Sequence, residues 1–326
     1  MRVAIVGAGL IGHKRADALG PEHQLVACAD VELARAEALA AQHPGCDVSN
    51  NYEKVVSRPD VDAVIVATTH SALAVVAVAA AEMGKHLLIE KPGARTAEEL
   101  KPVADLAARR QLIAKVGYNH RFHPSLQRAR AIVDSGDVGD VLYIRGRYGH
   151  GGRTGYEHEW RADPNAAGGG ELLDQGSHLI DLSRWFGGDV VDVQGHLATY
   201  FWPMQVEDNA FVHLTMADGQ VAWLHASWTE WKNLFSFEIF GRTGKLQIDG
   251  LGGSYGTETL TFYRMLPELG PPETTAWEFT GPDLSWQAEF AHFAECVRDD
   301  TVPSGSLQDA IAVLEIVGTL YERAGR

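Results

Sequence analysis

The chain has 326 residues, more than one hydrophobic core usually organises, which predicts two domains. Its 45% apolar and 22% charged residues are those of a packed globular protein and exclude disordered and fibrous classes. A formal net charge of −15 lacks the basic footprint that nucleic acid or an anionic membrane surface needs, so neither is expected as a partner. The cysteines Cys28, Cys46 and Cys296 show no CxxC spacing, so neither a metal centre nor a disulfide framework is expected. No apolar run reaches the ~18 residues of a membrane span and no leader precedes the first strand, which predicts a cytoplasmic location.

Short β-branched runs at 3–6, 25–29, 63–67, 86–89 and 112–116 alternate with helical patterns at 10–19, 32–42, 72–83 and 97–109. That alternation predicts a parallel sheet with crossover helices, the Rossmann form of α/β domain. Residues 7–12 read GAGLIG directly after the first strand. In such a turn Gly7 permits the bend, Gly9 lets backbone approach a pyrophosphate, and Gly12 lets the helix pack on the sheet. Leu10 and Ile11 stand at the helix start, where free amides favour an anion. Asp30 ends the second strand and suits the adenosine ribose hydroxyls. Val31 and Glu32 follow it instead of a basic residue, so NAD is expected over NADP. Thr68, Glu90 and Lys91 lie at the carboxyl ends of later strands, where open α/β sheets bind ligands, and complete the candidate cofactor contacts.

Past residue 120 the pattern changes to strands at 141–148, 190–200, 210–216 and 220–228, with helices at 285–298 and 307–321 closing the chain. Successive strands predict an α+β domain on a largely antiparallel open sheet, so the expected division is 1–120 for nucleotide binding and 121–326 for substrate and oligomerisation. Aromatics around Trp223, Trp228, Trp231, Phe235 and Phe237 read as a sheet face for packing or subunit contact. The segment 168–186, GGGELLDQGSHLIDLSRWF, reads as a glycine run entering a helix, which sets Asp174 and His178 four apart on one face. His120, His123, His150 and His158 form no recognisable zinc framework, and no metal is expected.

GAGLIG, the Glu90-Lys91-Pro92 turn, GYNHRFHP at 117–124, and the DxGxH of Asp174, Gly176 and His178 together resemble the Gfo/Idh/MocA family over nearly the whole chain. After Ala67 this chain reads Thr68-Thr69-His70-Ser71, where many members have a proline and histidines. The resemblance implies an NAD-dependent dehydrogenase or reductase, a homodimer or homotetramer, and a catalytic set of Lys91, Asp174 and His178.

Those residue types suit oxidation of a secondary alcohol. His178 has an ordinary titration range for a general base near neutrality. Lys91 can stabilise negative charge developing on the same oxygen. Asp174 would orient His178 or hold a neighbouring hydroxyl. Tyr118, Asn119, Arg121, Arg153, Trp160 and Arg161 are the candidate contacts to a sugar, nucleotide sugar or cyclitol. Residues 109–161 carry ten basic and five acidic side chains, which leaves room for an anionic substrate. Two alternatives are an NAD-dependent glycoside hydrolase of the same family and a non-catalytic nucleotide sensor.

Overall fold

The structure, a computed structural model, describes residues 1–325. The chain opens as β1 (Arg2–Val6), α1 (Leu10–Asp17), β2 (Gln24–Ala29), α2 (Leu33–Ala40), β3 (Asp47–Ser49) and α3 (Tyr52–Val56). It continues through β4 (Ala63–Val66), α4 (His70–Glu82), β5 (His86–Glu90), α5 (Ala97–Arg109), β6 (Ala114–Gly117) and α6 (Pro124–Asp134). Next come β7 (Val141–Gly149), a short α7 (Pro164–Ala167), α8 (Ser177–Gly187), β8 (Val190–Ala198), β9 (Asn209–Met216) and β10 (Val221–Ser227). β11 (Leu234–Gly241), β12 (Gly244–Asp249), β13 (Glu258–Arg264), β14 (Glu273–Phe279), α9 (Ser285–Asp299) and α10 (Leu307–Arg323) complete it. No described helix is long and apolar enough to cross a membrane.

The first sheet is all parallel, in the order β3-β2-β1-β4-β5-β6. Its central strands are buried on both faces, as expected where crossover helices cover a sheet, and so they read as unbroken apolar runs. The strand order reverses between β1 and β4, the position at which folds of this type take up dinucleotides. β3 and α3 escape a reading based on apolar runs: β3 is a three-residue edge strand with exposed residues, and α3 is a single turn or so capped by Asn51.

The second sheet has the order β14-β13-β12-β11-β7-β10-β9-β8. All its pairs are antiparallel except β7 with β10, in agreement with the largely antiparallel sheet expected from the strand pattern. Alternation sorts the aromatics within its strands by face, and Trp228 and Trp231 lie in the connection between β10 and β11. Trp228, Phe235 and Phe237 are buried in the core, whereas Trp223 and Trp231 are exposed.

The chain groups into two compact units that differ from a cut at 120. Met1–Tyr118, Asn165–Gly168 and Trp286–Leu314 make the first, and Asn119–Pro164, Gly169–Ser285 and Glu315–Arg326 make the second. The difference is physical. Phe290 and Phe293 of α9 pack into the apolar cluster of Val3, Ile5, Leu25, Leu39 and Ile65, and Val116 N–H donates to Gly305 C=O at 2.8 Å. The first core is therefore closed by a helix that arrives about 170 residues later than its own strands.

Candidate active site

At the end of β1 the backbone turns at Gly7, with φ of +98° and its N–H donating to Ala29 C=O at 2.8 Å. A Cβ on Gly7 would lie 2.3 Å from Ala67 O, and one on Gly12 would lie 2.1 Å from Gly7 O, so both contacts admit only glycine. Gly9 differs, because a Cβ there would meet nothing within 4 Å. The first bond inside α1 runs from His13 N–H to Gly9 C=O, which leaves the amides of Leu10, Ile11 and Gly12 at a helix start where glycine replaces a capping side chain. Leu10 is itself exposed. Asp30 accepts from Ala8 N–H at 2.8 Å and Glu32 N–H at 2.9 Å, so its carboxylate is fixed beside the glycine turn. Open space above Gly9, a helix start and a pinned acid fit a dinucleotide: the amides suit the pyrophosphate and Asp30 suits a ribose diol.

In the loop after β4, Thr68 is half-buried and its hydroxyl donates to Thr69 C=O. His70 opens α4 with Nδ1 2.8 Å from Ala167 O, a contact to protein backbone. Lys91 follows β5, half-buried, and its bond to Pro92 is cis. The neighbouring Glu90 carboxylate is taken up by protein: Arg15 Nε donates to it at 2.5 Å. Arg15 also reaches Glu289 of α9 at 2.7 Å, and Lys115 of β6 reaches the other Glu289 oxygen at 2.7 Å. All four groups are buried. Burial would lift Glu289, but Lys115 and Arg15 outweigh it and hold this carboxyl below the usual range. Burial lifts Glu90 above its ordinary value; Arg15 opposes that shift and Glu289 adds to it. Glu289 lies between two cations and Glu90 touches one, which accounts for the opposite directions.

In the second unit the expected helix over 168–186 begins differently. Leu172–Gly176 forms a π-helical turn, and α8 starts only at Ser177. The widened turn is anchored from outside: Glu207 Oε1 accepts from Gly170 N–H and Leu172 N–H, both at 3.1 Å, and from Tyr321 O–H at 2.7 Å. A Cβ on Gly170 would fall 2.1 Å from Glu207 O, the steric reason for glycine there. Such turns recur at functional sites because they redirect side chains that an α-helix would stack. Here the turn carries Asp174, and His178 follows in the first turn of α8, both buried.

Asp174 Oδ2 accepts from Arg161 Nε at 3.1 Å. The His178 ring lies 3.7 Å, centroid to centroid, from that of His120 and 6.1 Å from Tyr148. Tyr148 is held far above its ordinary value by burial, then by the neighbouring Tyr255, Asp174 and Glu171. Tyr255 is pushed up to about 12, mainly by burial, and accepts from Gln175 Nε2 at 3.0 Å. Both phenols therefore stay neutral and able to donate at any working pH.

The other candidates separate by what they already hold. Arg161 serves Asp174 and stacks 4.6 Å over Trp160. Arg153 is exposed and pairs with Glu159 at 2.7 Å. Arg121 is buried in a two-point pair with Asp181 at 2.9 and 2.6 Å, so its charge already has a carboxylate. Asn119 is also buried, with Nδ2 donating to Ser285 Oγ, and Tyr118 is wholly buried in the first unit. His120 and Tyr148, which face the His178 ring, and Tyr255, which packs on Tyr148, are not among the site residues expected from sequence, although His120 lies within the GYNHRFHP motif and that signal could have found it.

Residues 1–118 match the oxidoreductase family with an NAD-binding Rossmann fold, and residues 126–247 match the GFO/IDH/MocA C-terminal domain. The chain is 28% identical to levoglucosan dehydrogenase of Pseudarthrobacter phenanthrenivorans, over 76% of this chain and 73% of that protein. It is 27% identical to scyllo-inositol 2-dehydrogenase (NAD(+)) of Bacillus subtilis, over 97% and 92% of the two chains. The fold matches a solved structure of levoglucosan dehydrogenase in complex with NADH, with a TM-score of 0.90 and 24% identity over 100% of this chain and 97% of that one. The glycine turn with its pinned acid, the parallel sheet that presents them, and the two family matches agree: this chain belongs to the Gfo/Idh/MocA family of NAD-dependent oxidoreductases.

Proposed function

We propose that the chain oxidises a secondary alcohol of a sugar, nucleotide sugar or cyclitol, or reduces the corresponding ketone. The observation that carries this reading is the polar set around the π-helical turn. Asp174, Arg161, His178 and the neutral Tyr148 and Tyr255 combine donors and acceptors of the kind that hold several hydroxyls at once. The relatives named for levoglucosan and scyllo-inositol, both cyclic polyols, support it.

Bound NAD⁺ supplies the acceptor for the hydrogen that leaves the substrate carbon with its electron pair. His178 takes the hydroxyl proton as general base. Lys91 donates a hydrogen bond to the same oxygen and stabilises the charge that develops there. Asp174, with its charge balanced by Arg161, holds a neighbouring hydroxyl and fixes which carbon is presented. Gly7, Gly9, Leu10, Ile11, Gly12, Asp30 and Thr68 bind the dinucleotide, with Glu90 contributing through its backbone. Trp160 offers a face to the ring, and Tyr118, Asn119, Arg121 and Arg153 shape the surroundings. The protein acts as a homodimer or homotetramer through the exposed face of its second sheet, where Trp223 lies 4.8 Å from His213 and Phe211 stacks on His225 at 4.2 Å. Light scattering checks this: W223E should lower the mass, and an unchanged mass rejects that face.

The test of function is NADH formation with NAD⁺ and a panel containing levoglucosan, scyllo-inositol and other cyclic polyols, together with NADH and the matching ketones. Turnover of at least one cyclic polyol is expected. Silence across the panel in both directions rejects the reading.

A further inference from the structure

Four charged side chains sit buried together inside the first unit, and each is engaged by another of the four. Arg15 lies on α1, three residues past Gly12 of the glycine turn; Glu90 immediately precedes Lys91; Lys115 lies on β6; and Glu289 comes from α9. Arg15, Lys115 and Glu289 are completely buried, and Glu90 nearly so. Apolar residues of equal volume would fill this space at no loss of stability and often with a gain, because desolvating charges is costly. Their arrangement therefore calls for a reason beyond stability.

The geometry supplies one. Arg15 donates through Nε to Glu90 and through Nη1 to Glu289, so a single planar guanidinium spans the two carboxylates. Trp286, three residues before Glu289 on the same face of α9, lies against that guanidinium at 4.5 Å. Gly117 pairs with Glu90 across β5 and β6, and a Cβ there would come within 2.5 Å of Arg15 Nη2. Every element around Arg15 is shaped to keep it on Glu90. Glu90 in turn opens the turn that holds Lys91, where Gly93 N–H donates back to Glu90 C=O at 2.9 Å.

We propose that Glu289 is a positioning residue for Lys91: acting through Arg15, it fixes the Glu90 end of the turn and ties the Lys91 ammonium to the same helix that begins at the glycine motif. This rests on the reading of Lys91 as a catalytic group. Lys115 keeps Glu289 charged and aimed at Arg15. α9 thereby helps set the geometry of a residue about 200 positions earlier in the chain, and misplacement by about 1 Å is worth up to about 100-fold in rate.

Hydrogen–deuterium exchange needs no substrate and reads the turn directly. In NAD-loaded E289Q, amides of residues 90–95 should exchange about tenfold or more faster than in the native enzyme, beyond any acceleration at 63–66 in β4, which reads the global loss of stability. With the polyol that turns over, kcat should fall about 10–100-fold and the NAD dissociation constant should move less than about threefold. E289D, which keeps the charge, should recover part of both effects, and it carries the comparison if E289Q does not fold. In a K91A background E289Q should cause no further loss of residual rate, because the two act through one group. Unchanged exchange over 90–95, or a loss that multiplies fully with that of K91A, overturns the proposal. Undiminished turnover in K91A alone would instead remove Lys91 from the chemistry, an outcome separate from the exchange result.

Discussion

Arg161 reaches Asp174 at 3.1 Å from thirteen residues upstream, so the carboxylate in the π-helical turn has its counter-charge within its own unit. Burial works to lower the Arg161 titration, but Asp174 outweighs it and the net shift is upward, so the guanidinium keeps its charge. Removing Arg161 takes a paired cation from the buried Asp174 carboxylate. R161M should lower kcat/KM by about 10–100-fold with NAD affinity retained, and R161K should recover part of the loss. Steady-state kinetics with the active polyol, beside an NAD titration, checks this. A native kcat/KM in R161M would leave Asp174 without need of its partner.

Gly9 and Gly12 belong to one motif but are glycine for different reasons. G12A drives a Cβ into Gly7 O, and the unliganded protein should lose about 3 kcal/mol of stability. G9A adds its methyl to open space, so the melting temperature without nucleotide should stay near the native value while NAD binding weakens about tenfold or more. Thermal melts with and without NAD separate the two. Equal destabilisation of both unliganded variants would contradict the assignment of Gly9 to ligand approach.

Asp30, proposed above to meet the adenosine ribose, carries a carboxylate fixed by Ala8 and Glu32 amides, and the next side chain, Val31, is almost fully exposed and uncharged. D30N keeps an acceptor for Ala8 N–H and removes the repulsion of a 2′-phosphate. The ratio of kcat/KM for NAD to that for NADP should fall by about 10–100-fold. An unaltered ratio would locate cofactor choice elsewhere.

The two buried glutamates give acid stability a specific form. Glu289 is held below its ordinary range, so its contribution is complete above the unfolded value of about 4.5 and is lost as pH falls through its folded value. Glu90 is held above its ordinary range, so taking up a proton favours the folded state as pH falls through that raised value. E289Q should be less stable by about 3–5 kcal/mol at pH 7 and should lose less further stability toward pH 3.5 than the native protein. Denaturant unfolding across that interval measures both curves. Parallel curves would mean that Glu289 does not carry the acid limb.

What could be read in advance follows from how local each signal is. The strands β1, β2, β4 and β5 and the glycine turn declare themselves within a few residues, through apolar runs and a fixed spacing. The π-helical turn at Leu172–Gly176 does not, because its sequence LLDQG runs without a break into α8 and the groups that anchor it, Glu207 and Tyr321, come from elsewhere in the chain. Nothing in the local sequence marks Arg15 or Glu289 as buried. Only folding together segments 274 residues apart reveals them as a buried pair. Arg121 was expected near substrate on the strength of its charge, and its engagement by Asp181 was invisible for the same reason.

The nucleotide fold is not a contiguous piece of chain. Ending translation after β6 would leave Arg15 and Lys115 facing water where Glu289 belongs, and the seat of Phe290 and Phe293 bare. The core of the dinucleotide-binding half is thus closed only once the ribosome has delivered α9, and a fragment carrying the glycine motif would need α9 supplied as a separate peptide to close.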